Sequence, residues 1–174
     1  MKKCLIVVDY QNDFVEGSLG FEKAKELDAR IALRIREYKE SGDEVIFTFD
    51  THRADYPNTV EGKYLPVVHC VKGTFGHRLY GEVGREFDEE RDLYFEKETF
   101  PSLDLGKYLE GKEYRSVELC GLVSHICVLS NAVMVKAALP NVPIFIDRKL
   151  TGSSDEKMQQ AAFKVLRGLH IEIL

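Results

Sequence analysis

The stretch Lys3-Cys4-Leu5-Ile6-Val7-Val8-Asp9 decides the fold. Five apolar residues run without alternation until a carboxylate stops them, the pattern of a parallel strand buried on both faces. The same grammar recurs further along. Ala24, Leu27, Ile31, Ile35 and Tyr38 return at spacings of three and four, predicting a helix closed by Ser41-Gly42. Val45 to Phe49 predicts a second strand ending in Asp50, and Leu93 to Glu96 a short strand leading to Lys97. Leu105 to Leu109 makes a helical turn or two, and Ser116 to Leu122 a strand. Cys127 to Leu139 predicts a helix stopped by Pro140, followed by a strand from Val142 to Ile146 with Pro143 near its start. Ser153-Ser154 caps a helix carrying Met158, Ala161, Ala162, Val165 and Leu169 on one side, and Ile171 to Leu174 closes as an edge strand. Strands alternating with helices predict an α/β fold. The expected form is a three-layer sandwich around a mainly parallel, doubly wound sheet of about six strands.

The chain has 174 residues, which suits one domain over residues 1–174. A chain of this length buries roughly 70% of its unfolded surface and needs no disulfide or metal staple to fold. Its net charge of −5 and lack of a basic block argue against nucleic acid and anionic membrane as partners. No apolar run approaches the roughly 18 residues of a membrane span. Cys4 to Val8, after two lysines, is stopped by Asp9 too early for a signal peptide. Cys4, Cys70, Cys120 and Cys127 form no CxxC pair, so reduced thiols and a cytoplasmic location are expected. Residues 51 to 84 show no sustained period; a connection that long is usually functional.

In open α/β sheets, ligands bind beyond the carboxyl ends of the strands. Asp9, Asp50, Lys97 and Cys127 are all expected on that rim. Cys127 lies three residues after Ser124, a candidate N-cap, so the helix dipole and Lys97 are expected to favour its thiolate. Asp9 can take the thiol proton or hand one to a leaving group. The amides of Ile126 and Cys127 are candidate donors to an oxyanion. In the long loop, Asp50 and His52 stand two apart, with Glu61 and His69 beyond them, a set that suits Zn, Mn or Fe. His77, His125 and His170 are read as structural, as are Cys4 and Cys120.

Five segments appear in order: Leu5-Ile6-Val7-Val8-Asp9-Tyr10-Gln11-Asn12-Asp13-Phe14, Phe49-Asp50-Thr51-His52, Leu65-Pro66-Val67-Val68-His69-Cys70-Val71-Lys72-Gly73-Thr74, Glu96-Lys97, and Gly121-Leu122-Val123-Ser124-His125-Ile126-Cys127-Val128. Together they resemble the isochorismatase-like cysteine hydrolases, and within them the nicotinamidases. The resemblance implies an Asp9, Lys97 and Cys127 triad that hydrolyses nicotinamide to nicotinate and ammonia through a thioester. It implies one divalent metal on Asp50, His52 and His69 that binds the pyridine nitrogen. Glu61 is placed to stand where many relatives have a further histidine, because Tyr56-Pro57-Asn58 offers none. Phe14 becomes an aromatic wall of the substrate pocket, with Leu122 and Val123 beside it. A non-proline cis bond at Leu122-Val123 is expected, with the Val123 and Cys127 backbone at the oxyanion. Ser124-His125 departs from the usual Thr-Asp. The expected partner is a small-molecule amide and the expected assembly a homo-oligomer. A relative acting on another small amide or ureido compound is the alternative; a receiver-like signalling domain, with Asp50 as phospho-acceptor, is the alternative of another class.

Overall fold

In a computed structural model covering residues 1–174, the opening apolar run forms β1 (Lys3–Val8), whose residues from Cys4 onward are wholly buried. Short helices α1 (Asn12–Val15) and α2 (Glu22–Lys25) lead to α3 (Asp28–Glu40), then β2 (Glu44–Asp50). The long loop contains a 3₁₀ turn (Tyr56–Asn58), α4 (Val60–Tyr64) and α5 (Gly81–Glu86). There follow β3 (Leu93–Lys97), α6 (Leu103–Leu109), β4 (Ser116–Leu122), a π-helical turn (Ser124–Val128) and α7 (Leu129–Ala138). The chain closes with β5 (Ile144–Gly152), α8 (Glu156–Gly168) and β6 (Glu172–Ile173).

All six strands are parallel, in the order β3-β2-β1-β4-β5-β6. The order reverses between β1 and β4, and strands that diverge there open a crevice beyond their carboxyl ends. Alternation along β1 divides the core. Cys4, Ile6 and Val8 pack with Leu105, Ala132, Val135, Phe163 and Leu166 from α6, α7 and α8. Leu5 and Val7 pack with Ile31, Ala32 and Ile35 of α3 on the other face. No helix is long and apolar enough to cross a membrane.

The structure corrects several boundaries. The first predicted helix is two, because the Ala24 carbonyl accepts from the Tyr10 hydroxyl at 2.5 Å and the chain turns before α3. Instead of stopping at Ile146, β5 crosses the polar Asp147-Arg148-Lys149 segment through a shift in register and resumes opposite Gly121 and Leu122 at Thr151 and Gly152. The cap of α8 is Asp155, whose carboxylate accepts from the Met158 amide at 3.0 Å; Ser153 caps one step earlier, on the Asp155 amide. That helix also turns inward by a neighbouring face: of the predicted stripe only Ala162 is buried, with Phe163 and Leu166, while Met158, Ala161, Val165 and Leu169 are exposed.

The corrected face is testable by urea unfolding. Phe163→Ala should lower stability by about 3–5 kcal/mol through a core cavity. Val165→Ala, on the exposed side, should change it by no more than about 0.5 kcal/mol. A reversal of that ranking would return α8 to its sequence-predicted face.

Candidate active site

The ends of β1, β2 and β3 lie side by side, and each delivers one ionisable group. Asp9 leaves β1 with a positive φ of 46°, while its amide still donates to the Thr48 carbonyl at 3.2 Å. That turn points its fully buried carboxylate across the strand ends, where the Thr48 hydroxyl donates to Oδ1 at 2.6 Å. Asp50 and Lys97 are paired across β2 and β3. Lys97 Nζ lies 2.6 Å from Asp9 Oδ2, 3.4 Å from Asp50 Oδ1 and 3.8 Å from Cys127 Sγ, and donates to the Thr99 carbonyl at 3.0 Å. Parallel pairing thus assembles in space what the sequence separates by 118 residues between Asp9 and Cys127.

Cys127 arrives from the other side of the crevice. Gly121 adopts φ +104° with its Cα against β1, where a Cβ would overlap the Val8 carbonyl oxygen. The Leu122–Val123 peptide is cis, and the π-helical turn follows. Ser124 does not cap this turn. Its hydroxyl pairs with Thr151 Oγ1 at 2.9 Å and accepts from Gln159 at 3.2 Å, fixing the turn to β5 and α8. The amides of Ile126 and Val128 both donate to the Val123 carbonyl, at 3.1 and 3.2 Å. Ile126 is therefore engaged and not free for an oxyanion, leaving the Cys127 amide between two that are tied back.

Ionisation differs from the sequence expectation at the sulfur. Burial raises the Cys127 thiol well above its ordinary value; Lys97 opposes this, but Asp9 and Asp50 add to the rise. The balance favours the neutral thiol. Burial also raises Asp9, against the pull of Lys97. Lys97, which burial alone would lower, is raised by the facing Asp9 carboxylate and stays cationic.

Beside this cluster, one donor atom from each of Asp50, His52, Glu61 and His69 lies within 4.8 Å of the others. His52 Nε2 is 3.0 Å from Asp50 Oδ2 and 3.6 Å from Glu61 Oε1; His69 Nε2 is 3.1 and 3.7 Å from the same two atoms. The His69 Nδ1 faces the Val67 carbonyl at 2.7 Å, which favours the tautomer with Nε2 free as a ligand. Glu61 Oε2 is buried without any hydrogen-bond partner. Two imidazoles and two carboxylates, one of them with an orphaned oxygen, fit a divalent cation. Against the effect of burial, the facing His52 and His69 rings and the charge of Lys97 hold Asp50 well below the usual carboxylate range.

An isochorismatase domain family model matches residues 3–173. The chain belongs to the isochorismatase family. It is 32% identical over 143 residues to an uncharacterised isochorismatase family protein, PncA, of Bacillus subtilis, covering 76% of this chain and 78% of that one. It is 25% identical to a nicotinamidase of Saccharomyces cerevisiae over 99% of both chains. The crystal structure of a Bacillus subtilis nicotinamidase/pyrazinamidase, PncA, superposes with a TM-score of 0.88 at 28% identity, covering 99% of each chain.

Within this family member, the Phe14 ring centroid stands 5.5 Å from that of His69. Val123 is half-buried, whereas the Leu122 side chain lies wholly in the core, so Leu122 meets the crevice only through its backbone. His77, read as structural, faces Thr51 Oγ1 at 2.8 Å, one residue from Asp50. His125 and His170 take no part in the cluster. Sequence reasoning gave no role to Asn12, Asp13, Tyr56 or Asn131. Asn12 Nδ2 donates to the Phe75 carbonyl at 2.8 Å, and Asp13 accepts from the Cys70 amide at 2.7 Å, holding the loop that carries His69. The buried Tyr56 ring packs against His52 and His69, at 4.5 and 5.0 Å between centroids. Asn131 Nδ2 donates to the carbonyls of Cys127 and Phe100 at 2.8 and 3.0 Å. For Asn12, Asp13 and Asn131 the signal was a polar side chain in an otherwise apolar or catalytic segment; Tyr56 carried none.

Because thiolate is the reactive form, a raised thiol value predicts slow alkylation of Cys127 at pH 7 in ligand-free protein. The thiolate fraction is small below the folded value and grows as pH rises, so the iodoacetamide rate should keep climbing beyond pH 9. Site-resolved mass spectrometry measures it. A rate that levels off below pH 8 would show a depressed value and contradict this assignment.

Proposed function

We propose that this isochorismatase-family chain, a hydrolase of amide C–N bonds, is a nicotinamidase acting through Cys127. The observation that carries the reading is the contact of one ammonium, Lys97, with Asp9, Asp50 and Cys127 at the edge of the four-donor set. Lys97, 2.6 Å from the carboxylate, favours an ionised Asp9 against the effect of burial, so a base faces the thiol. As Sγ attacks the amide carbonyl, Asp9 takes the thiol proton, and the oxyanion is met by the backbone at Val123 and Cys127. Asp9 then protonates the departing nitrogen, ammonia leaves, and a thioester remains. Water, deprotonated by Asp9, attacks the thioester; the acid leaves and the proton returns to Cys127.

Phe14 walls the ring of the substrate. Asp50, His52, Glu61 and His69 would hold a divalent ion, which would supply a Lewis-acid contact for a pyridine nitrogen. The proton transfers remain between Asp9 and Cys127.

Ammonia release from nicotinamide, benzamide and an N-carbamoyl compound tests the reading. Nicotinamide should exceed benzamide in kcat/KM by about 100-fold, because benzamide leaves the ring-nitrogen contact unmade. Asp9→Asn, which cannot accept the thiol proton, should lower the acylation rate by roughly 100-fold or more. Removing metal with a chelator should mainly raise KM for nicotinamide, a lost ground-state contact. Turnover of the N-carbamoyl compound alone would move the substrate to ureido chemistry, and near-normal turnover by Asp9→Asn would place the base elsewhere.

A further inference from the structure

The Val8–Thr48 pair is the last rung between β1 and β2 before Asp9 turns away. β2 continues for two more residues. Backbone groups of a strand point alternately to its two neighbours. Thr51 N–H goes towards β3, donating to the Lys97 carbonyl at 2.8 Å, so the N–H and C=O of Asp50 face the side β1 has left. Both would be buried without a backbone partner, and an unpaired buried polar group costs about 1–3 kcal/mol.

The Gln11 side chain occupies that place. Its Oε1 accepts from the Asp50 amide at 2.8 Å, and its Nε2 donates to the Asp50 carbonyl at 2.9 Å. Nε2 also donates to the His77 carbonyl at 2.8 Å. Three hydrogen bonds use one wholly buried primary amide. Although Gln11 stands at the N-cap of α1, its side chain makes no cap there. The Gln11 amide in turn donates to the Asp9 carbonyl at 2.8 Å.

We propose that Gln11 is a positioning residue for the metal-donor Asp50: its amide acts as a surrogate ladder rung that fixes Asp50 against the Asp9 turn. The proposal rests on the metal reading above and adds to it the element that sets donor geometry. A carboxylate could not replace the amide, since it accepts from Asp50 N–H but donates nothing to the Asp50 and His77 carbonyls. A methionine keeps the length and makes none of the bonds.

Zinc titration of the purified chain by chelator competition, with folding followed by far-UV circular dichroism and cooperative melting, decides between the outcomes. Gln11→Met and Gln11→Glu, once shown to be folded, should bind zinc at least tenfold more weakly than wild type, in the range set by outer-sphere partners of metal ligands. A residue with a purely architectural role would lower Tm and leave zinc affinity alone. Folded variants that bind zinc within twofold of wild type overturn the proposal. If neither variant folds, the Gln11 side-chain amide resonances of wild type are followed as zinc is added. A shift at one equivalent supports the rung and its absence overturns it. Wild type that takes up no zinc overturns the metal reading together with this proposal; wild type that binds zinc beside indifferent variants overturns this proposal alone.

Discussion

Lys97 carries its ammonium almost entirely out of water, and that fact constrains everything around it. The effective penalty for burying an ion is several kcal/mol, recovered only where opposite charge and hydrogen bonds surround it. Here Asp9 and Asp50 supply the charge and the Thr99 carbonyl an acceptor. The three strands must therefore end in register, which β1-β2-β3 pairing enforces. Adding Glu61, three carboxylates face one ammonium and leave two negative charges over. Glu61 shows the imbalance: burial and then Asp50 raise it above its ordinary value, against His52, His69 and Lys97. A divalent cation held by Asp50, Glu61, His52 and His69 would remove the excess. The same cluster that opposes protonation of Asp9 thus favours a cation beside it.

Most of this was legible in the sequence, and for one reason. Buried parallel strands announce themselves as apolar runs, and the residues that stop them (Asp9, Asp50 and Lys97) are those the sheet brings together. What failed was local. The face of α8 was misread because Met158, Ala161, Val165 and Leu169 share a 3.6-residue period with Ala162 as well as Phe163 and Leu166 do. The thiolate expectation at Cys127 failed because a helix-start argument counts dipole and ammonium and leaves out burial, which here is the largest influence. Ser124 has the right residue type for a cap. Its hydroxyl is used across the fold, on Thr151 and Gln159, by contacts no local window contains.

Two of the residues that escaped notice share a chemistry. Gln11 and Asn131 are both wholly buried primary amides, and each makes three hydrogen bonds to backbone. Gln11 splints the half of the crevice that holds Asp9 and Asp50. Asn131 splints the other half, binding the Cys127 carbonyl to Phe100 and Ser102 in the connection that follows Lys97. A primary amide offers two donors and an acceptor without charge. Next to a cluster already carrying excess negative charge, a carboxylate splint would raise Asp9 further and oppose the lowering of Asp50, and an ammonium would compete with Lys97 for them. Neutral amides fix the backbone while leaving the ionisation of the catalytic groups to those groups. Such residues are hard to find from sequence because their partners are main-chain atoms, which every residue has and no motif records.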